Sequence, residues 1–194
     1  QVAGAGTGGG KLEQQLIQTN PLLEAFGNAK TLRNNNSSRF GKFIEIDFNA
    51  KGYIAGTKID HYLLETTRVT SQNAEERNFH IFYQITSDAD ARKKYFLQSA
   101  GHYAYLSKSG CLAVEGINDE KEFKDTIESM RIIGMSENEI ENTLTTIAAI
   151  LHLGNISFSD NHDDCSVVKD RDPSTIACKL LGADETKLLD ALQR

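Results

Sequence analysis

No run of apolar residues in this sequence approaches the roughly 18 that mark a membrane-spanning helix. The N-terminal stretch also has neither the basic nor the apolar region of a signal peptide. A membrane role is not expected. Basic residues are short too: 21 Lys and Arg stand against 27 Asp and Glu, a net charge of -6. A nucleic-acid module needs a basic footprint, and none is present. Cysteine is scarce and odd in number, with Cys111, Cys165 and Cys178 too far apart for a disulfide framework or a paired zinc motif. The expectation is a soluble, cytosolic protein in a reducing compartment.

The 194 residues could bury the core of one ordinary domain or part of a larger one. The chain opens without Met and closes on Leu188, Leu189 and Leu192, an apolar helical pattern with nothing after it to receive it. It reads as a piece of a longer polypeptide. The Gly-rich opening tempts a phosphate-loop reading that its spacing refuses. Gly4, Gly6 and Gly9 fit GxGxxG, but no strand precedes them and no βαβ unit follows. Gly10 and Lys11 fit the end of GxxxxGK[ST], but Ala5 and Leu12 stand where its first glycine and closing hydroxyl belong. Residues 1–11 are expected to be a flexible surface loop.

Leu12 and Leu16 repeat at helical spacing, and Asn20 before Pro21 predicts an N-cap and a second short helix to Phe26, stopped by a left-handed Gly27. Alternation from Phe43 to Phe48, the turn residues Asn49 to Gly52 and a return over Tyr53 to Ile59 predict a β-hairpin. Tyr62 to Val69 is a further strand or a loop. Asn73 with Glu76 predicts a capped helix presenting Phe79, Phe82, Tyr83 and Ile85, with His80 a structural residue on its flank. Ser87 is expected to cap a charged helix, and Cys111 to Val114 to form a brief strand. Asp119 with Glu122, and Ser136 with Glu139, open two more helices that should pack as a pair. A strand over Asn155 to Phe158 and two short helices, Pro173 to Gly182 and Glu185 to Leu192, complete the reading. Between them Asp160, His162, Asp163 and Asp164 match no defined metal-ligand spacing, so a solvated acidic loop is expected.

Phe26 to Phe43, FGNAKTLRNNNSSRFGKF, is almost without aliphatic side chains and lies between a helical and a strand-like segment. Asn34, Asn35, Asn36, Ser37, Ser38 and Arg39 bring amides, hydroxyls and a guanidinium together, with Lys42 close behind. Hydroxyl oxygens suit a hard cation such as magnesium, amides donate to phosphate oxygens, and arginine carries a permanent charge on a forked donor set. The same residues also make ordinary solvated turns.

NNNSSRFGKF after FGNAKT resembles the switch I loop of myosin motor domains, most closely that of conventional, filament-forming myosins. LEQQLIQTNPLLEAFGNAKT, YLLETTRVTSQNAEERNFHIFYQI, SGCLAVEG and IAAILHLGNISF are each similar to that family, in its order, so the likeness covers nearly the whole chain. It implies an α/β fragment of a P-loop NTPase motor domain: helices, switch I and a hairpin of a central twisted sheet over residues 12–61, and a mainly helical upper actin-binding subdomain over 62–194. It implies ATP and Mg2+ as cofactors. Asn34 would contact the phosphate chain, Ser38 the metal, and Ser37 the γ-phosphate and attacking water, while Arg39 would pair with a glutamate of switch II. Actin filaments would be the partner and the actomyosin cytoskeleton the location, with light chains and a coiled-coil dimer partner bound through parts not in this chain. No phosphate loop, switch II or adenine-contacting segment is found, so the segment alone is not expected to hydrolyse ATP. Thr66, Thr67 and Met135 depart from the common family pattern, which blurs the subclass. The competing readings are a non-catalytic α/β interaction module with an Asn-rich surface loop, and another P-loop nucleotide switch.

Overall fold

The computed structural model describes residues 9–160 and 166–193. His162, Asp163, Asp164, Cys165 and most of the Gly-rich opening lie outside them. The first helix, α1 (Gly9–Gly27), is continuous, with Pro21 inside it. The expected break at Asn20 fails because that residue does not cap; its Oδ1 accepts from Lys42 Nζ at 2.7 Å. Proline removes one helical hydrogen bond. Packing of Leu22, Ala25 and Phe26 against the core outweighs that local loss. Gly9 to Lys11, expected in the loop, are helical, since extending an existing helix adds a hydrogen bond for each residue fixed. Gly27 ends the helix without a positive φ. Its role is close approach: a Cβ there would sit 2.4 Å from the Phe40 ring.

Strands β1 (Asn28–Ala29) and β2 (Ser37–Ser38) pair antiparallel, Asn28 facing Ser38 and Ala29 facing Ser37. The predicted hairpin follows as β3 (Gly41–Phe48) and β4 (Ile54–Tyr62), in register from Gly41 with Tyr62 to Asp47 with Gly56 and shifted by one residue at Phe48 with Ile54. Among the described residues the ribbon has no third strand. Phe43 and Phe48 are 57% and 58% exposed, so two large apolar side chains of the ribbon stand uncovered among the described residues. Two strands alone are marginal in water.

The segment after β4 makes a 3-10 turn over Thr66–Val69 and then runs without helix to Phe79. The capped start predicted at Asn73 is absent. Glu76 is buried and directs its carboxylate to Arg68 Nη1 at 3.2 Å and the Leu32 amide at 3.3 Å. Helix α2 (His80–Ser87) therefore begins late, and His80 through Thr86 are all buried. Helix α3 (Ala89–Lys94) is capped by Asp88, not Ser87. A single turn, α4 (Ala104–Ser107), comes next, and Cys111 to Val114 form no strand.

Helix α5 (Asp119–Ile132) is capped by Asn118, one residue before the expected start. Helix α6 (Glu137–Leu153) carries the predicted reciprocal box of Ser136 and Glu139. Its Ile140, Leu144, Ile147 and Leu151 are buried, as are Phe123 and Met130 of α5, so both predicted apolar faces enter the core. They do so against different partners: α5 packs mainly on α1 and α2, while α6 packs mainly on α7 (Asp172–Leu181). The buried α2 segment lies within the same core cluster, and α5 covers it together with α1. A ribbon of β5 (Phe158–Asp160) and β6 (Ser166–Val168) precedes α7, replacing the strand expected from Asn155 and part of the acidic loop. Gly182 stops α7 with φ 64, and α8 (Glu185–Leu192) closes the described chain. The architecture is mixed α/β, and no helix among the described residues is long and apolar enough to cross a membrane.

Candidate functional site

The polar loop is a small closed structure. Pairing of β1 with β2 and a 2.8 Å bond from the Arg39 amide to the Gly27 carbonyl join its two ends. Within it the Thr31 amide donates to the Asn34 carbonyl at 2.8 Å, and Asn34 Oδ1 accepts from the Asn36 amide at 2.8 Å. That second bond is the local side-chain turn asparagine favours. The loop also docks on the segment before α2: the Arg77 amide donates to the Lys30 carbonyl at 3.0 Å, and Lys30 Nζ to the Glu75 carbonyl at 2.8 Å. Rigid core thus begins within a few residues of the exposed polar groups.

Each predicted site residue has a readable hydrogen-bonding state. Ser38 is exposed and donates its hydroxyl proton to the Phe40 carbonyl at 2.9 Å, so its lone pairs are free for a hard cation. Ser37 is half-buried and accepts from Arg39 Nη1 at 3.2 Å, which leaves its own proton to give. Among the described residues no group accepts from the amide nitrogen of exposed Asn34, whose oxygen is already taken. The chemistry of these donors fits a metal-bound polyphosphate. Arg39 Nε donates to Glu65 Oε2 at 2.6 Å.

Glu65 is shared. The same oxygen accepts from Arg68 Nε at 2.8 Å, and Arg68 continues to Glu76, whose other oxygen takes the Leu32 amide. The alternating charges leave the loop at Arg39 and return to it at Leu32. Burial would raise the Glu65 carboxyl, but hydrogen bonds from Arg68 and Arg39 outweigh it and hold the pKa below its ordinary value. Sequence reasoning missed this chain, and also Glu24 and Asn28. One signal was available: Glu65 and Arg68, three apart, follow directly on the apolar Tyr62 to Leu64.

His80 is 4% exposed, and its Nε2 lies 3.1 Å from Asn36 Oδ1, which makes it the hydrogen-bonded structural residue expected. Burial first, and the Arg77 charge second, push its pKa down to about 4. Unfolded, the imidazole takes its proton near pH 6.5. Between those two values the unfolded chain binds more protons, so His80 leaves stability unchanged above pH 6.5 and erodes it as pH falls toward 4. At pH 5 the expected loss is about 2 kcal/mol relative to pH 7. Hydrogen exchange of the α2 amides at both pH values, compared with His80→Gln, measures it. Equal pH dependence in the two proteins would contradict this.

A cavity of about 550 Å³ lies beside Asn36 and His80, lined also by Glu24, Glu122, Asp125 and Glu128. Its carboxylates repel a polyanion, so it is not where a phosphate chain would sit. Among the described residues no cluster of His, Cys, Asp or Glu side chains could by itself hold a metal. A metal at this loop would have to be held by hydroxyl oxygen, by its phosphate ligand and by other elements.

A family model described as myosin head (motor domain) matches residues 2–194. The chain is 46% identical over 182 residues to Myosin-1 of Sclerotinia sclerotiorum, covering 93% of this chain and 15% of that protein. It is 49% identical over 183 residues to the non-muscle Myosin-2 heavy chain of Acanthamoeba castellanii, covering 93% and 12%. With the Myosin-J heavy chain of Dictyostelium discoideum the identity is 47% over 188 residues, covering 93% and 8%. The chain therefore spans less than a fifth of the length of these relatives, and their similar identities favour no one class.

Proposed function

The chain belongs to the myosin motor-domain family, and from that premise we propose that it supplies the switch I loop of an actin-based, ATP-hydrolysing motor. The observation that carries the reading is the complementary state of the two serines, with Ser38 lone pairs and the Ser37 proton both available beside Arg39. Asn34 Nδ2 donates to the phosphate chain. Ser38 Oγ would hold the magnesium, and Ser37 Oγ would donate to the γ-phosphate and orient the attacking water. Magnesium bound with the nucleotide would supply charge neutralisation there, and positioning by the loop's own residues does most of the remaining work in such transfers. Arg39 closes the site by exchanging Glu65 for a glutamate of switch II supplied from outside this segment. The uncovered β3–β4 ribbon supports a place in a larger sheet.

Actin filaments are the proposed partner and the actomyosin cytoskeleton the proposed location. Light chains and a dimer partner would be bound by other parts of the parent, for which the conventional class is the proposal. Family membership disfavours both a non-catalytic module with an Asn-rich surface loop and a different P-loop switch. The test is Ser38→Ala in a complete motor domain carrying this segment. The magnesium concentration for half-maximal hydrolysis is expected to rise about tenfold, the order of a lost charged contact. An unchanged magnesium dependence would remove Ser38 from the site.

A further inference from the structure

The Asn36 side chain reaches three partners outside the turn it sits in. Its Oδ1 accepts from Asn28 Nδ2 at 3.0 Å and lies 3.1 Å from His80 Nε2, and its Nδ2 donates to Glu24 Oε2 at 2.9 Å. Its amide closes the turn on Asn34 at 2.8 Å. One exposed side chain thus ties three separate elements: the last turns of α1, strand β1 and the N-terminus of α2. Two of its partners, Asn28 and His80, are buried at 7% and 4% exposure, and Ile81, next to His80 in α2, is 1% exposed. The anchor points belong to the core while the anchored group belongs to the loop.

The donor pattern fixes the chemistry at this point. With Asn36 Nδ2 directed at a carboxylate, its Oδ1 can only accept, so His80 carries a proton on Nε2, and burial, which pushes its pKa down, keeps the ring neutral. His80 Nδ1 is then unprotonated, and it has no partner among the described residues. A protonated His80 would have to bury a second donor with nothing to receive it.

We infer that Asn36 is a positioning residue: held by Glu24, Asn28 and His80, it sets the pose in which the loop presents Ser37 and Ser38 to a metal-bound phosphate. The inference rests on the function proposed above. Asn36 itself touches no reacting atom. Loss of its ties lets the loop leave the productive pose, so ATP binding is largely kept while the hydrolysis step slows.

The test reverses one hydrogen bond in a complete motor domain carrying this segment. Asn36→Asp keeps an acceptor for Asn28 and His80 but sets a second carboxylate against Glu24. Single-turnover hydrolysis is expected to slow about tenfold, the size of a lost hydrogen bond with a stranded charge. The rate of ATP binding should change less than about twofold, within the spread of a small perturbation. Adding Glu24→Gln restores the pair with donor and acceptor exchanged and the same net charge, and the hydrolysis rate should return to within about twofold of the parent. Imidazole 15N shifts should show His80 as the Nε2–H tautomer in the parent and protonated at higher pH in Asn36→Asp while the α2 amides keep their protection from exchange, which separates the change from loss of fold. Asn36→Ala, which adds no charge, should also slow hydrolysis.

Failure of Glu24→Gln to rescue, or parental hydrolysis in both Asn36 variants, would overturn the inference. Ser38→Ala and Arg39→Ala separate the levels. If they impair the site while the Asn36 series does not follow this pattern, only the positioning role falls. If they too are silent, the proposed function falls and the positioning role with it.

Discussion

Replacing Arg39 with alanine in a complete motor domain carrying this segment will leave ATP binding intact and slow single-turnover hydrolysis by about a hundredfold or more, the range seen when a preorganised charge-stabilising group is removed. The structure says why this loss will be specific. Arg39 is a partly exposed side chain, 29% accessible, and its partner Glu65 is 34% accessible, so the pair contributes little to stability. Glu65 is not stranded either, since Arg68 Nε still donates to it at 2.8 Å. What the substitution removes is the donor to Ser37 Oγ and the group that would close the site. Arg39→Lys will recover only part of the rate, because an ammonium cannot reach Glu65 and Ser37 through a fork. Near-parental single-turnover hydrolysis in Arg39→Ala would end the assignment of this loop to catalysis.

Much of the fold was legible where the signal is local. The Ser136–Glu139 box and the left-handed Gly182 do what their sequence neighbourhoods specify, because both ends of each interaction lie within one turn. The same letters misled where a distant group took the side chain. Asn73 and Glu76 spell a capping box as clearly as Ser136 and Glu139 do, but Arg68 and the Leu32 amide claim Glu76. Asn20 before Pro21 spells a helix start, yet Lys42 of β3 claims the amide. Gly27 reads as a helix stop in the left-handed conformation, and Gly154 ends α6. Neither has a positive φ, and at Gly154 a Cβ would meet the Tyr105 ring at 2.5 Å, so the requirement is room for an aromatic from elsewhere.

The site divides in the same way. Its chemical inventory of Asn34, Ser37, Ser38 and Arg39 was readable as residue types in one short stretch. Its support was not. Glu65, Arg68 and Glu76 reach the loop from beyond the whole β3–β4 hairpin, and His80 meets Asn36 across 44 residues of chain. Single-sequence patterns carry no information about such pairings. Family resemblance supplied roles for the residues proposed to meet ligand and was silent on those that support the loop.

The second large effect concerns that support. Asp119→Ala will destabilise the region around α2 by about 3 to 5 kcal/mol, the cost of breaking a buried ion pair from one side. Arg77 has no exposed side-chain surface, and its Nη2 donates to Asp119 Oδ1 at 2.7 Å. Its guanidinium also lies 3.7 Å above the centroid of the Tyr83 ring. Its Nε and Nη1 have no hydrogen-bond partner among the described residues, so Asp119 is the one carboxylate hydrogen-bonded to the buried cation there. Without it the survivor is an uncompensated charge in the core, and α2 amides should exchange about two to four orders of magnitude faster. The double change Arg77→Met with Asp119→Leu should recover most of the loss, since apolar residues of similar volume replace such pairs at little cost. Unchanged exchange in Asp119→Ala would mean that water or an unseen partner already compensates Arg77. The consequence reaches the site through the backbone: the Arg77 amide holds the Lys30 carbonyl, and Phe79 bridges Ala29, so loosening this ion pair loosens the base of the loop. Hydrolysis should therefore fall in Asp119→Ala and return in the apolar double variant, although neither residue lies in the loop.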